Sequence, residues 1–208
     1  GMFIHKSYKD SMYAQILGSK LGPKKYVYSD LCYYFTQPIL ERIIGESQAS
    51  YLRRNIYLPL GLNRILYQPL RQFADQQIVP TEDDQAFRKQ LLRGHVHDPG
   101  AAMLGGVAGH AGIFSNAWSL AHIMQLFLNK GEMAGQQFFT AATYTEFTKQ
   151  QYPGNRRAAG FDRPTASGGG TCDVLASQQS FGHSGFTGTL AWADPKNKVI
   201  FIFLSNRV

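Results

Sequence analysis

Cysteine is scarce here: Cys32 and Cys172 are the only two in 208 residues. Neither sits in a CxxC or other metal-ligand spacing, which excludes a zinc ribbon, a thioredoxin-type redox motif and a disulfide-dense scaffold. They read as two unrelated thiols. Long apolar runs are also missing. The longest, Val199 to Leu204, is far short of the roughly 20 residues that a membrane-spanning helix needs, and no signal-like start is visible, so neither a membrane span nor a signal peptide is expected in this chain. Charge is sparse too, at 17% against 44% hydrophobic residues, which excludes a solvated tail or linker. Acidic residues are the rarer sign: 14 against 21 Lys and Arg give a net charge of +7, and Lys6, Lys9, Lys20, Lys24 and Lys25 face only Asp10 before residue 28. A nucleic-acid reader would add stacking aromatics along a basic stripe or a known reading motif. Neither is present, so the excess reads as a solvated basic face and nucleic acid is not an expected partner.

What is present is helical pattern early and strand pattern late. Residues 7–17 predict a helix, and a second is expected from Ser29 or Asp30 as cap to Gly45 as stop, with Leu31, Tyr34, Phe35, Ile39 and Ile43 at helical spacing. Pro38 inside it predicts a kink or a shorter helix. Residues 47–58 offer a third, ended by "PLGL", and 61–84 read as mostly irregular. The glycine-dense "MLGGVAGHAGIFS" at 103–115 demands tight turns and close backbone packing. From Ser115 or Asn116 an amphipathic helix is expected to Gly131, burying Ala117, Leu120, Ala121, Met124, Phe127 and Leu128; Thr140 caps another to about Gln150. Residues 151–173 are the expected mobile loop, and strands near 187–194 and 198–205 are joined by "DPKNK". Helices first and an antiparallel hairpin last define an α+β class. The expected organisation is a single partial domain over 1–208: a mostly helical region at 2–150, the loop, then C-terminal antiparallel strands at 174–208.

Several chemical schemes fail on spacing. Gly182-His183-Ser184-Gly185 places its second glycine one residue too early for a G-x-S-x-G serine elbow. His95-x-His97-Asp98 puts two imidazoles on one strand face, but no third ligand cluster stands at recognisable spacing, so no metal is expected. The ladder Gly105-Gly106-x-x-Gly109-x-x-Gly112 is not a G-x-G-x-x-G fingerprint, and no other cofactor is indicated.

Another scheme survives. Tyr28-Ser29-Asp30 stands at a helix entry, and His183-Ser184-Gly185 opens a terminal strand about 150 residues later. With "YSDLCYYFTQPILERIIGES", "PLGL", "GGVAGHAGIFSNAWSLAHIM" and "FGHSGFTGTLAWADPKNKVIFIFLSNRV" in that order, the chain resembles the serine β-lactamase and penicillin-binding-protein superfamily. The likeness is to its class C and esterase-like branch, where the second motif is Tyr-x-Asn and the third is Lys or His, any residue, then Gly. Asp30 departs from the asparagine.

That resemblance implies a β-lactamase/transpeptidase-like fold and acyl-serine hydrolysis of an ester, an amide or a β-lactam. It implies Tyr28 as acid/base, Asp30 as its polar orienter and His183 as the contact for a substrate carboxylate or leaving group. Ser184, Gly185 and Phe186 would bind substrate, with Phe186 a candidate oxyanion donor. The parent's substrate would be a small molecule or cell-wall peptide in the periplasm or cell envelope. Yet no serine in the chain has lysine three positions on. A free tyrosine titrates near 10, and bringing one to 7 takes roughly 4 kcal/mol, about what an ammonium 4 Å away supplies at an effective dielectric near 20. Without that lysine Tyr28 is expected to stay a phenol and the chain to be inactive alone, a portion of the family's domain. The rival reading is a non-catalytic module that binds a ligand or partner. Strand 198–205, interior in the family, is expected here as an exposed apolar edge that invites a homodimer.

Overall fold

The computed structural model describes His5 and residues 7–207, which divide into two compact units. The first comprises the described residues through Asn55 together with Leu66–Phe114; the second comprises Ile56–Ile65 and Ser115–Arg207.

In the first unit, α1 covers Tyr8–Gly18. The expected helix from residue 29 to 45 is broken in two: a 3-10 turn at Leu31–Tyr34, then α2 at Thr36–Ile44, which Gly45 ends in the left-handed conformation (φ +75°). Pro38 explains the break, because it falls in the first turn of α2, where a missing N–H leaves no hydrogen bond unmade. Leu31, Ile39 and Ile43 are exposed, contrary to their core-like spacing. Ser47 caps α3 (Gln48–Leu52) by accepting the Ser50 N–H at 3.2 Å, and a π-helical turn at Arg53–Tyr57 follows.

β1 (Leu66–Tyr67), β2 (Pro80–Asp84) and β3 (Gln90–Arg93) come next. β2 and β3 form an antiparallel hairpin, with β2 at the end of the 61–84 stretch that reads as irregular and β3 beyond it. Its pairing is secured by charge instead of apolar alternation: the Arg88 side chain donates to Asp84 and Glu82 and to the carbonyls of Val96 and His97. α4 (Pro99–Met103) begins at Asp98, and β4 (Ile113–Phe114) pairs with β1. Met12, Val96, Ala101, Leu104 and Ala108 form the core of this unit.

The glycine-rich segment between α4 and β4 turns tightly, with positive φ at Gly105, Gly106 and Gly112. Gly109 meets the 3-10 turn. A Cβ there would stand 2.5 Å from the Tyr33 carbonyl oxygen and 2.7 Å from Thr36 Cβ.

In the second unit α5 covers Ala117–Leu128, capped by Asn116, whose side chain accepts the Ser119 N–H at 2.8 Å. Met124 is buried as expected, but Ala117 is exposed and Leu126 buried in its place, so the inward stripe is shifted around the helix. β5 (Glu132–Met133) and β6 (Gln136–Gln137) make a small hairpin, and Thr140 caps α6 (Ala141–Thr148). A three-stranded antiparallel sheet closes the unit: β7 (Phe181–Ser184), β8 (Leu190–Asp194) and β9 (Val199–Phe203), in that order across the sheet.

Phe181 and Ala193, both fully buried, meet Met124, Phe127, Tyr144 and Phe161 in an aromatic-rich core. The β8–β9 turn is organised by Asp194, which accepts the N–H groups of Ser177, Lys196 and Asn197. β9 alternates: Ile200 and Ile202 pack on the core, while Val199, Phe201 and Phe203 are each more than half exposed. Among the described residues no strand pairs with its outer edge.

The Gly109 contact yields a direct stability test. Gly109→Ala is expected to lower the unfolding free energy by about 1–3 kcal/mol, since backbone must move to admit the methyl group. Gly18→Ala, where nothing lies within 4 Å, should leave the urea midpoint unchanged or raise it. Equal midpoints for the two variants would contradict the close approach.

Candidate active site

Tyr28 and Asp30 belong to the first unit and His183 to Phe186 to the second. Tyr28 lies in the irregular stretch ahead of the 3-10 turn and is 58% exposed. Neither Ser29 nor Asp30 caps an α-helix. Ser29 Oγ accepts the Leu31 N–H at 3.2 Å, while Asp30 opens the 3-10 turn through its carbonyl, which accepts the Tyr33 N–H at 2.8 Å, and its carboxylate makes no capping bond.

Three residues downstream of that turn's start, Tyr34 stacks on His110 with ring centroids 4.5 Å apart. His110 Nε2 stands 2.8 Å from Asp98 Oδ1, which also accepts the Ala101 N–H at 2.6 Å and so caps α4. Burial pushes the Tyr34 phenol up, and the carboxylates of Asp98 and Asp30 add to the shift. His97 pairs with Glu82 at 3.4 Å. His97 and His110 thus take separate carboxylates, and among the described residues no three His, Cys, Asp or Glu side chains are grouped to hold a metal ion. A cavity of about 420 Å³ within this unit is lined by Gln68, Arg71, His95, Gly105 and Gly106 among others, but not by Tyr28 or Asp30.

In the second unit His183-Ser184-Gly185 closes β7 and does not open a strand. The reason is a turn. The Gly185 N–H donates to the Thr189 carbonyl at 2.7 Å, and Gly188, at φ +89°, reverses the chain before β8 begins at Leu190. Phe186 stands in that turn, 74% exposed, with the Arg207 guanidinium 6.0 Å from its ring. His183 Nδ1 is 2.7 Å from the Ser184 carbonyl oxygen, and its Nε2 is 3.3 Å from Arg157 Nη1.

Arg157 comes from the loop 151–173, which is tied down at Asp162. Asp162 and Gly182 exchange backbone hydrogen bonds of 2.7 and 3.1 Å, extending the sheet by one bridge beside β7. The Asp162 carboxylate, 2% exposed as a residue, accepts from Arg156 Nε at 2.7 Å and from Thr171 Oγ1 at 2.5 Å, and Arg157 Nη1 is 3.5 Å away. Burial alone would raise this carboxyl. The hydrogen bonds from Arg156 and Thr171 and the two guanidinium charges outweigh that and hold it below its ordinary value. Arg157 and Asp162 escaped the motif reading. The signal for them was "RRAAGFDRP", clustered charge in a stretch otherwise built for turns.

These features define an α+β hydrolase fold of the β-lactamase and transpeptidase type, seen in part. The beta-lactamase family model matches residues 7–208, and the chain belongs to that family. An Escherichia coli K12 protein named "Putative D-alanyl-D-alanine carboxypeptidase" is 36% identical over 196 residues, covering 88% of this chain and 45% of that protein. The chain therefore spans less than half the length of the curated relatives it matches. Among solved structures, a penicillin-binding-protein homolog from Caulobacter crescentus superposes with a TM-score of 0.64 at 22% identity, over 96% of this chain and 58% of that one. An octameric penicillin-binding protein homologue from Pyrococcus abyssi gives 0.62 at 14% identity, over 97% and 48%. No helix among the described residues is long and apolar enough to cross a membrane.

The depressed Asp162 carboxyl fixes the sign of a pH effect. A carboxyl lowered in the folded state stabilises above its ordinary value of 3.8, and that contribution is lost as pH falls through the folded value. Asp162→Asn is expected to be less stable than the unaltered chain at neutral pH, with the gap shrinking as pH drops below about 4. A gap that is constant across chemical denaturation from neutral to acid pH would contradict the assignment.

Proposed function

We propose that this chain is part of a serine hydrolase that cleaves an ester, amide or β-lactam through an acyl-serine, and that these 208 residues do not complete that cycle alone. The observation that carries the reading is the family match over residues 7–208, joined to a sequence in which no serine precedes a lysine by three. Tyr28 serves as acid/base, oriented by Asp30. The end of β7 faces the substrate's carboxylate or leaving group, with Ser184, Gly185 and Phe186 as binding residues. By analogy with the relatives' printed names, the substrate class is a cell-wall peptide ending in D-alanine, and the setting is the periplasm or cell envelope.

The missing nucleophile favours one second reading, a non-catalytic module that binds such a ligand or a partner protein. Fluorescent penicillin separates the two. The chain alone should show no covalent band, and a longer protein carrying an in-frame Ser-x-x-Lys should show one, with Tyr28→Phe slowing acylation by roughly 10²–10⁴-fold. A covalent band on the isolated chain would overturn the claim of inactivity. Reversible binding only, in the longer protein as well, would favour the module.

We further propose that the open edge of β9 pairs with a second copy of the chain. Val199, Phe201 and Phe203 present an apolar edge without the charge or proline that ordinarily blocks edge-to-edge pairing. Light scattering should report a dimer or larger species, and Phe201→Lys should return a monomer. A monodisperse monomer of the unaltered chain at working concentration would contradict this.

A further inference from the structure

The ring of His183 is held between two partners whose chemistry leaves one arrangement. Ser184 offers a carbonyl oxygen, which only accepts, 2.7 Å from Nδ1; Arg157 offers a guanidinium nitrogen, which only donates, 3.3 Å from Nε2. Both bonds exist together only when Nδ1 carries the proton and Nε2 is a lone pair. An imidazolium would set two N–H donors against one acceptor and one cation. The same guanidinium nitrogen, Arg157 Nη1, stands 3.5 Å from the buried Asp162 carboxylate, which also accepts from the Arg156 and Thr171 side chains and from the Arg163 backbone N–H. The backbone bridge between Asp162 and Gly182 holds that carboxylate in register with the residue preceding His183.

We infer that Arg157, braced on Asp162, is a positioning residue that locks His183 as the neutral Nδ1–H tautomer and itself supplies the positive charge at the end of β7. The inference deepens the proposed hydrolase reading and rests on it for one consequence: the positive charge directly beside the His183 ring is carried by Arg157, and His183 presents an uncharged ring. A point mutation of His183 and one of Arg157 therefore remove different things, orientation in the first case and both orientation and charge in the second.

The test is nitrogen-15 NMR of the histidine rings in the whole 208-residue chain near neutral pH, with the His183 signals assigned by their loss in His183→Gln. The unaltered chain should show His183 protonated at Nδ1 alone. Arg157→Met, which keeps bulk but no donor, should shift the ring toward the Nε2–H form or a mixture. Arg157→Lys, which keeps a donor and a charge, should restore the Nδ1–H signature, and Arg156→Met should leave it unchanged. A His183 that is doubly protonated or Nε2–H in the unaltered chain overturns the inference, as does an unchanged signature in Arg157→Met. Should Arg157→Met fail to fold, the unaltered spectrum and the Lys variant still decide. None of these readouts needs turnover or an acyl-enzyme. The tautomer can stand if the hydrolase reading falls, and penicillin labelling of the longer protein can succeed if the tautomer is wrong.

Discussion

A carboxylate almost without solvent contact, Asp162, is the constraint on which the β7 end of the second unit depends. A buried ion pair is weak evidence for extra stability, but removing one partner strands the other and is costly, about 3–5 kcal/mol where it has been measured. Asp162 answers its own desolvation with Arg156, Thr171 and Arg157, and its backbone joins Gly182 at the sheet. Gly182 permits the approach. A Cβ there would stand 2.2 Å from the Ala191 carbonyl oxygen and 2.7 Å from Trp192 Cα, so no other residue lets β7 lie so close to β8. A loop rich in turn residues is thereby anchored at one point, and the anchor is what brings a guanidinium to His183.

The first unit shows the same economy with different groups. Asp98 caps α4 and holds His110, and His110 stacks on Tyr34, the last residue of the 3-10 turn that Asp30 opens. Gly109 seats the glycine-rich segment on the same turn. His97 and His110 each meet a separate carboxylate, Glu82 and Asp98. Hence the segment carrying the Tyr28 motif is framed by an aromatic stack and a bare backbone contact, in a stretch of sequence where hydrophobic periodicity alone would have drawn one long helix.

Legibility in the sequence followed the range of the forces involved. Local signals read well: Asn116 and Thr140 as caps, Gly45 as a left-handed stop, Pro38 as a break, and the "DPKNK" turn, because each is decided within a few residues. The α+β class and the family likeness were legible because ordered blocks survive together. Side-chain burial read less well. Leu31, Ile39 and Ile43 are spaced for a core yet exposed, and Leu126 is buried where Ala117 was expected, because periodicity reports a helix's stripe and not what packs against it. The β2–β3 hairpin was invisible, since Arg88 organises it through bonds to residues on both sides of the turn and beyond. Arg157 and Asp162 left only clustered charge in "RRAAGFDRP" as a signal, because nothing in that stretch says which guanidinium meets the carboxylate or that both reach β7. The strand position of His183-Ser184-Gly185 was misread by one turn, which the positive φ of Gly188 and the Gly185–Thr189 bond account for.

If a single buried carboxylate organises this end of the sheet, Asp162 and Arg156 must be energetically coupled and not merely adjacent. A double-mutant cycle of Asp162→Asn and Arg156→Met, followed by chemical denaturation near neutral pH, measures that coupling directly. The account predicts a coupling of about 0.5–3 kcal/mol, with the double variant less destabilised than the sum of the two single changes. Strict additivity would show that the carboxylate and its guanidinium act independently, and would contradict the account at its base.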